Sequence, residues 1–490
     1  MFDTSIDELD ARGAAAAIDD AHRRLVAVEC EQLQLAAHWI DLHATEVEEP
    51  AGVPGGERTV RVGSDGTPWV PEFAAAEFAA LQDLHPQGGA ALLRKVANLR
   101  DRHPLLWARV LAGEVRAWKA LETARLVGRN SSTDAGLDRE SARWVDQETH
   151  ASIDTLPWTG YLDLVERTII AADPRAAEVR RLVAETTQGV WTTRSTDHGL
   201  KTLVARAAAG DVIHLVAVVD RLADILAVRG DQRPVGPRRA DALALLAQPA
   251  HALKLLLDGT AQQPLPDEPA SEADESHRPA HLDVPHGLAD ALSRTALDHT
   301  TLDRLVPRAV LHVHLDHSVL TSDGLGAIGT RVADVEGVGP VSLEQVRRWL
   351  GHRRVTVKPV LDPLREPAVD AYVFPQRLRD AVRAISRRDV FPFAVNTRIS
   401  LDLDHVQPYV PPDRGGPPGM TGIDNAAPMV RHHHRLKTHS GWRLRQLAPG
   451  AHLWTSPHGH HWLTDPRGTR RLPDGVVTLI ERGLRETRAA

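Results

Sequence analysis

At 490 residues, with 25% charged and 42% hydrophobic side chains, the chain is too long for one ordinary domain and has a soluble globular balance. Its single cysteine, Cys30, excludes an intrachain disulfide and any cysteine-built zinc site. A net charge of −7 is not that of a simple nucleic-acid binder, and no run of about 18 apolar residues marks a membrane span.

The first stretch, MFDTSIDELDARG, is acidic and lacks an apolar secretion segment, so the expected location is cytoplasmic. Residues 5–45 read as one long amphipathic helix, with Leu25, Val28, Leu33 and Leu35 recurring at helical spacing on an Ala-rich background. Residues 49–70, punctuated by Pro50, Gly52, Pro54, Gly55, Gly56 and Gly63, predict a loop. Helical periodicity returns from Pro71 to about Leu126 and from Asp138 to Glu185. Pro104 and Pro157 are placed at helix starts, where a missing N–H costs nothing. A third helical block covers 197–257, and together residues 1–258 predict a mainly α domain.

Residues 259–287 are Pro-, acid- and Ser-rich with hardly any apolar anchor, the composition of a flexible linker. Residues 288–385 predict a small α/β segment. AVLHVHL (309–315) and RVTVKPVLD (354–362) are its strands, and Ser342–Leu350 is a short helix capped by Ser342 and Gln345 and stopped by Gly351. No internal repeat of fixed period occurs.

Residues 386–490 carry the chemistry. Ile399–His405 alternates like a strand, 406–424 is a Pro/Gly-rich loop, and Asp424 or Asn425 is expected to cap a helix with Pro428 in its first turn and Gly441 at its end. On that helix Met429, Val430, His433 and Leu436 share the face meant for the strands, while Arg431, His434, Arg435 and Thr438 share another. After Trp442 the chain alternates apolar and polar residues around two turns, a small antiparallel β-hairpin extension.

The order Asp404-His405, then Asn425, then His434 suits metal-dependent phosphodiester cleavage. A phosphodiester resists attack because its anionic oxygens repel the nucleophile and its leaving alkoxide is poor. One divalent cation on Asp404 and His434 would neutralise both charges. His405 would take a proton from water, since imidazole titrates near neutrality, and Asn425 would fix the ring and its loop.

The same residues carry a resemblance. LDLDH, the Pro/Gly loop, DN, and HHRLKTH followed by GW resemble the HNH (ββα-metal) endonuclease module. Upstream, STDHGLKTLVARAAAGDVIHLVAVVDRLADIL, VADVEGVGPVSLEQVRRWLGHRRVTVKPVLD and RDVFPFAVNTRISLDLDH resemble a large actinobacterial group of HNH proteins, in which a helical domain of unknown function precedes the nuclease. The likeness spans roughly residues 5–475. It implies hydrolysis of DNA, a ββα-metal fold over 386–490, and His434 as the ligand among His432, His433 and His434.

Two departures from that pattern matter. Thr438 stands one turn after His434, where some members carry a third imidazole, and the paired cysteines of zinc-stabilised relatives are absent. Water, Asn425 or substrate oxygen would complete the shell, which suits Mg²⁺ better than Zn²⁺. Phe391, Phe393 and Val395, with Val430 and His433, are expected to form a hydrophobic mini-core instead of a structural zinc, at roughly 1.5–3 kcal/mol per buried Phe.

From Arg431 onward there are 11 Lys and Arg against 4 Asp and Glu, so positive charge gathers beside the expected chemistry. Arg431, Arg435, Lys437, Arg443 and Arg445 are the candidate phosphate contacts. Two other functions compete. One is a catalytically inactive HNH module that only binds DNA or docks a partner. The other is a metallohydrolase built on His312, His314 and His317, which lacks the later ligands such a site needs. His458, His460 and His461 lie near a turn and are expected to face solvent.

Overall fold

The computed structural model describes residues 6–46, 52–128, 137–174, 185–193, 200–248, 251–256, 313–314, 332–335, 339–342, 344, 346, 362–396 and 401–489. Backbone proximity divides the chain into two units, Met1–Arg181 with Val357–Ala490, and Leu182–Thr356. The described residues are mostly helical, with small antiparallel sheets. Composition places a boundary at 258, inside the second unit, whereas the two ends of the chain share the first.

In the first unit, helix α1 (Ala11–His43) begins at Asp10, whose carboxylate accepts the Gly13 N–H at 2.7 Å. The expected loop that follows contains a hairpin, β1 (Thr59–Arg61) against β2 (Trp69–Pro71). It forms because Gly66 takes a left-handed φ of 83° and lets Thr67 N–H donate to Ser64 O at 3.1 Å. Then come α2 (Ala74–Leu81), α3 (Pro86–Arg102), α4 (Pro104–Leu111), α5 (Ala117–Val127), α6 (Arg139–Thr149) and α7 (Trp158–Ala172). Pro104 opens α4 and Pro157 precedes α7, as expected. Asp146 of α6 accepts the unpaired Leu105 and Leu106 N–H groups at 2.8 and 3.2 Å, closing the start of α4 from outside. These helices enclose a core that includes Val96, Leu99, Leu106, Ala120, Val145 and Tyr161.

The second unit holds β3 (Gly189–Thr192) paired with β4 (Leu203–Arg206), then α8 (Ala209–Val228) and α9 (Val235–Leu246). Strand β3 lies between the two predicted helical blocks, whereas β4 falls inside the block 197–257 that periodicity reads as helix. Helices α8 and α9 meet around Leu222, Ala223 and Ala242. Three further strands, β5 (Val313–His314), β6 (Val332–Val335) and β7 (Gly339–Ser342), form an antiparallel sheet in that order. Ser342 ends β7, and residues 344 and 346, inside the expected short helix, are helical. The linker 259–287, residues 354–361, His312 and His317 lie outside the described residues.

The first unit resumes with α10 (Gln376–Ile385), β8 (Asp402–His405), β9 (Ala426–Met429) and α11 (Arg431–His439). Strands β10 (Arg443–Ala448), β11 (Ala451–Thr455), β12 (His461–Asp465) and β13 (Gly468–Leu472) follow as a four-stranded antiparallel meander, and α12 (Asp474–Ala489) ends the chain. The alternation after Trp442 thus produces a larger sheet than a single hairpin. Trp442, Trp454, Trp462, Phe391, Met429 and Leu436 form its core, completed by Phe73, Ala76 and Ala80 from the N-terminal segment. Among the described residues no helix is long and apolar enough to cross a membrane.

Two histidines of this unit are buried and neutral. Burial pushes His103 down to about 3, with the neighbouring Arg102 charge adding to it. Burial likewise pushes His452 down to about 4, against hydrogen bonds to the Ala426 and Gly450 backbone. The unfolded chain therefore binds more protons than the folded one between about pH 6.5 and those values, and stability falls as pH falls through that window. The expected loss between pH 6.5 and 5 is roughly 2 kcal/mol per histidine. Denaturant unfolding at pH 7 and pH 5 measures it, and His452→Gln should remove about half of the slope.

Candidate active site

Strands β8 and β9 are antiparallel, with Asp402 opposite Met429, Leu403 opposite Pro428, Asp404 opposite Ala427 and His405 opposite Ala426. The helix expected to start at Asp424 or Asn425 instead starts at Arg431, after Val430. Residues 426–429 are strand because their side chains are all buried, and Pro428 is tolerated where a two-stranded sheet needs no N–H from it. The result is strand, strand, helix, with 406–425 as the connection. That loop folds back tightly at Gly416, where a Cβ would lie 1.9 Å from Val410 O.

Alternation along β8 decides what each side chain meets. Asp402 and Asp404 face α11. Arg431 pairs with Asp402 at 3.0 Å, His434 Nε2 lies 3.3 Å from Asp404 Oδ1, and Lys437 Nζ lies 2.6 Å from Asp404 Oδ2. Lys437 also donates to the His405 carbonyl. Burial raises the Asp404 carboxyl, but hydrogen bonds from His434 and Lys437, with the Lys437 charge, hold it below the ordinary carboxylate value.

Leu403 and His405 face the other way, toward the core built by α10. The buried His405 ring packs against Phe374 at 4.7 Å, Tyr409 at 5.6 Å and Tyr372 at 5.8 Å. Its Nε2 lies 2.7 Å from Thr421 Oγ1, and the Thr421 hydroxyl donates to Ala371 O. That hydroxyl has spent its proton, so it accepts from Nε2–H. The ring is thereby held in the tautomer with Nδ1 unprotonated. Burial lowers the His405 pKa, with the Asp404 charge opposing and Lys437 assisting. A neutral imidazole with a free nitrogen lone pair is the state a proton acceptor needs.

Asn425 caps no helix. Its Oδ1 accepts the Gln407 N–H at 2.7 Å, and its Nδ2 donates to Gln407 O at 3.0 Å and Met420 O at 2.9 Å. It clamps the chain leaving His405 to the chain entering β9, which is the loop-fixing half of the expected role. The ring itself is fixed by Thr421, a residue that its spacing alone does not single out.

The five basic candidates divide. Arg431 and Arg443 are exposed, and Arg445 is half-buried beside Glu481 at 3.4 Å. Arg435 is turned inward to the N-terminal segment, where it pairs with the buried Glu72 and donates to Gly55 O at 2.8 Å and Gly56 O at 2.7 Å. Lys437 sits inside the site. His432 is exposed with its ring edge on Phe73, and Thr438 donates to its own helix backbone at 2.9 Å. His458 is exposed, as expected, and also bonds the buried Glu77 at 2.6 Å, whereas His460 and His461 are half-buried.

What seats α11 is partly the expected mini-core. Phe391 is fully buried and stacks on His433 at 4.4 Å, and Phe393 packs against the same core, but Val395 is 59% exposed. The unexpected member is Asp389. Its Oδ2 accepts from Val430 N at 2.9 Å and His433 Nδ1 at 2.7 Å, and its Oδ1 from Phe391 N at 2.9 Å. Among the described residues no group of three or more His, Cys, Asp or Glu side chains is arranged to hold a metal. Asp404 and His434 are brought together as a pair.

No family model matches the chain, and no solved structure matches it. The chain is similar to the uncharacterized protein Rv3776 of Mycobacterium tuberculosis, 27% identical over 98% of this chain and 85% of that protein. It is also similar to the uncharacterized protein Rv2100 of the same organism, 28% identical over 86% of this chain and 75% of that protein.

Removing the Asp389 carboxylate strands three N–H groups, two of them buried, so Asp389→Ala should cost roughly 3–5 kcal/mol. Arg431→Ala, which breaks an exposed pair, should cost less than about 1 kcal/mol. Denaturant unfolding of both variants tests the contrast, and equal losses would remove Asp389 from its structural role.

Proposed function

We propose that the β8–β9–α11 module is a metal-dependent HNH endonuclease that hydrolyses DNA phosphodiesters. One observation carries this reading: a carboxylate oxygen and an imidazole nitrogen, from a strand and from a helix, meet at 3.3 Å. Two ligands of one octahedral cation of Mg²⁺ size stand roughly 3 Å apart, so the spacing fits a shared ion. When bound there, a divalent cation supplies charge neutralisation for the phosphate and the departing oxygen.

The chain's own residues supply the rest. Lys437 takes Asp404 Oδ2 and the His405 carbonyl, which leaves Oδ1 turned to His434. Thr421 keeps His405 in the tautomer whose Nδ1 accepts a proton from water. Asn425 holds the loop on which that ring depends. Arg431 and Arg443, both exposed on or next to α11, are the phosphate contacts this reading retains.

A second reading has its own observation. His405 and Asp404 leave β8 on opposite faces, and the His405 ring is enclosed by three aromatic side chains. That arrangement favours a module that binds DNA without cutting it. Cleavage separates the two. His405→Ala should slow nicking of supercoiled plasmid in Mg²⁺ by about 10²–10⁴. Thr421→Val, which keeps the shape but releases the tautomer, should lower the rate while leaving DNA affinity unchanged. Wild-type protein that shifts DNA on a gel with or without EDTA, yet never nicks it, would select the second reading.

A further inference from the structure

The side of α1 that the core leaves uncovered carries a heptad pattern. Ile18 and Leu25 stand seven residues apart, as do Val28, Leu35 and Leu42, and Leu25 to Val28 is a step of three. That is the a and d spacing of a coiled-coil seam. All five are exposed, from 48% at Leu25 to 70% at Ile18. The residues α1 gives to the core, Cys30, Leu33, Ala37 and Ile40, lie on a different stripe. Helix α1 has 33 residues, about 50 Å of length, and none before Cys30 is buried. Val26 is the first residue of α1 packed against the core, and the stretch before it, about 15 residues without tertiary packing, is of a length that is marginal in water.

We infer that α1 pairs with α1 of a second copy as an antiparallel two-stranded coiled coil, making the protein a two-fold dimer. The charges beside the seam choose this occupant and this direction. A two-fold axis between Val26 and Ala27 sets Leu25 against Val28 of the partner subunit and Ile18 against Leu35 of the partner subunit. In the same register Arg24, whose Nε lies 3.4 Å from Asp20 one turn back on its own helix, also faces Glu31 of the partner subunit, and symmetry repeats the pair. A parallel pair in register would instead turn Arg24 toward Glu29, which Arg116 already engages at 2.7 and 3.1 Å, and would leave Glu31 facing Ala36. Symmetric self-complementarity of this kind is the signature of an isologous interface. The inference does not depend on the nuclease reading.

Light scattering of the full chain should give twice the 53.6 kDa chain mass. Leu25→Glu with Val28→Glu should return the single-chain mass with an unchanged circular dichroism spectrum. Arg24→Glu alone should weaken association by about tenfold, because both symmetric pairs turn repulsive. Adding Glu31→Arg should restore it. A wild-type protein that stays at single-chain mass at its highest soluble concentration overturns the proposal, as does a mass unchanged by the double Glu variant. Failure of Glu31→Arg to rescue Arg24→Glu overturns the antiparallel arrangement. If the double Glu variant loses its helix signal, the exposed charge swap decides alone.

Discussion

One carboxylate that water does not reach, Asp389, fixes where α11 sits. It takes the N–H of Val430 at the start of the helix, the ring of His433 one turn in, and the N–H of Phe391 on its own segment. A helix start leaves N–H groups without partners, and a carboxylate there also meets the positive end of the helix dipole. His433 then stacks on Phe391, so the polar clamp and the aromatic core hold the same turn. Everything α11 presents to β8, including His434 and Lys437, inherits its position from that turn. Half a turn of slippage would swing His434 away from Asp404.

The N-terminal segment is the second support. Phe73, Ala76 and Ala80 enter the core of Trp442, Trp454 and Trp462, and Arg435 reaches across to Glu72 and to two backbone carbonyls. Arg435 and His434 are adjacent on α11, so a side chain spent on the N-terminal segment anchors the neighbour that faces Asp404. The buried Glu77 is drawn in the same way, by His458 from the turn after β11. The C-terminal module is therefore built on the N-terminal helices within one unit, which is why residues far apart in sequence share a core.

Much of this was legible from periodicity, and the failures have physical causes. The helical character of α1 and of the segments between Pro71 and Ala172 follows from apolar spacing, and Pro104 marks a helix start because no N–H is needed there. Pro428 misled by the same logic: a proline suits a first turn, but it also suits a strand that pairs on one side only, and burial of all four residues of β9 decided for strand. The Asp404 and His434 pairing was readable from spacing, because chemistry demands both residue types. Asp389 was not readable, since a lone carboxylate in RRDVF looks like surface until the fold buries it. Lys437 stands in the sequence as a candidate phosphate contact, but its place beside Asp404 was legible too. It lies three residues after His434, one turn along the same face, and any strand carboxylate that meets one must lie near the other.

Lys437 also bears on how the proposed site would work. A cation added to a buried carboxylate normally competes with whatever charge already compensates it. Here the two oxygens of Asp404 are divided: Oδ2 belongs to Lys437 and Oδ1 looks at His434. The ammonium therefore orients the carboxylate without blocking the side a metal would use, as outer partners of metal ligands commonly do. Because Lys437 grips the His405 carbonyl as well, it ties the end of β8 to α11 and couples Asp404 to the backbone that bears His405. The two faces of the strand, one toward the helix and one toward the aromatic pocket, are joined through that one side chain. Opposite orientation of Asp404 and His405 is then no bar to joint action, provided that substrate reaches both around the end of the strand.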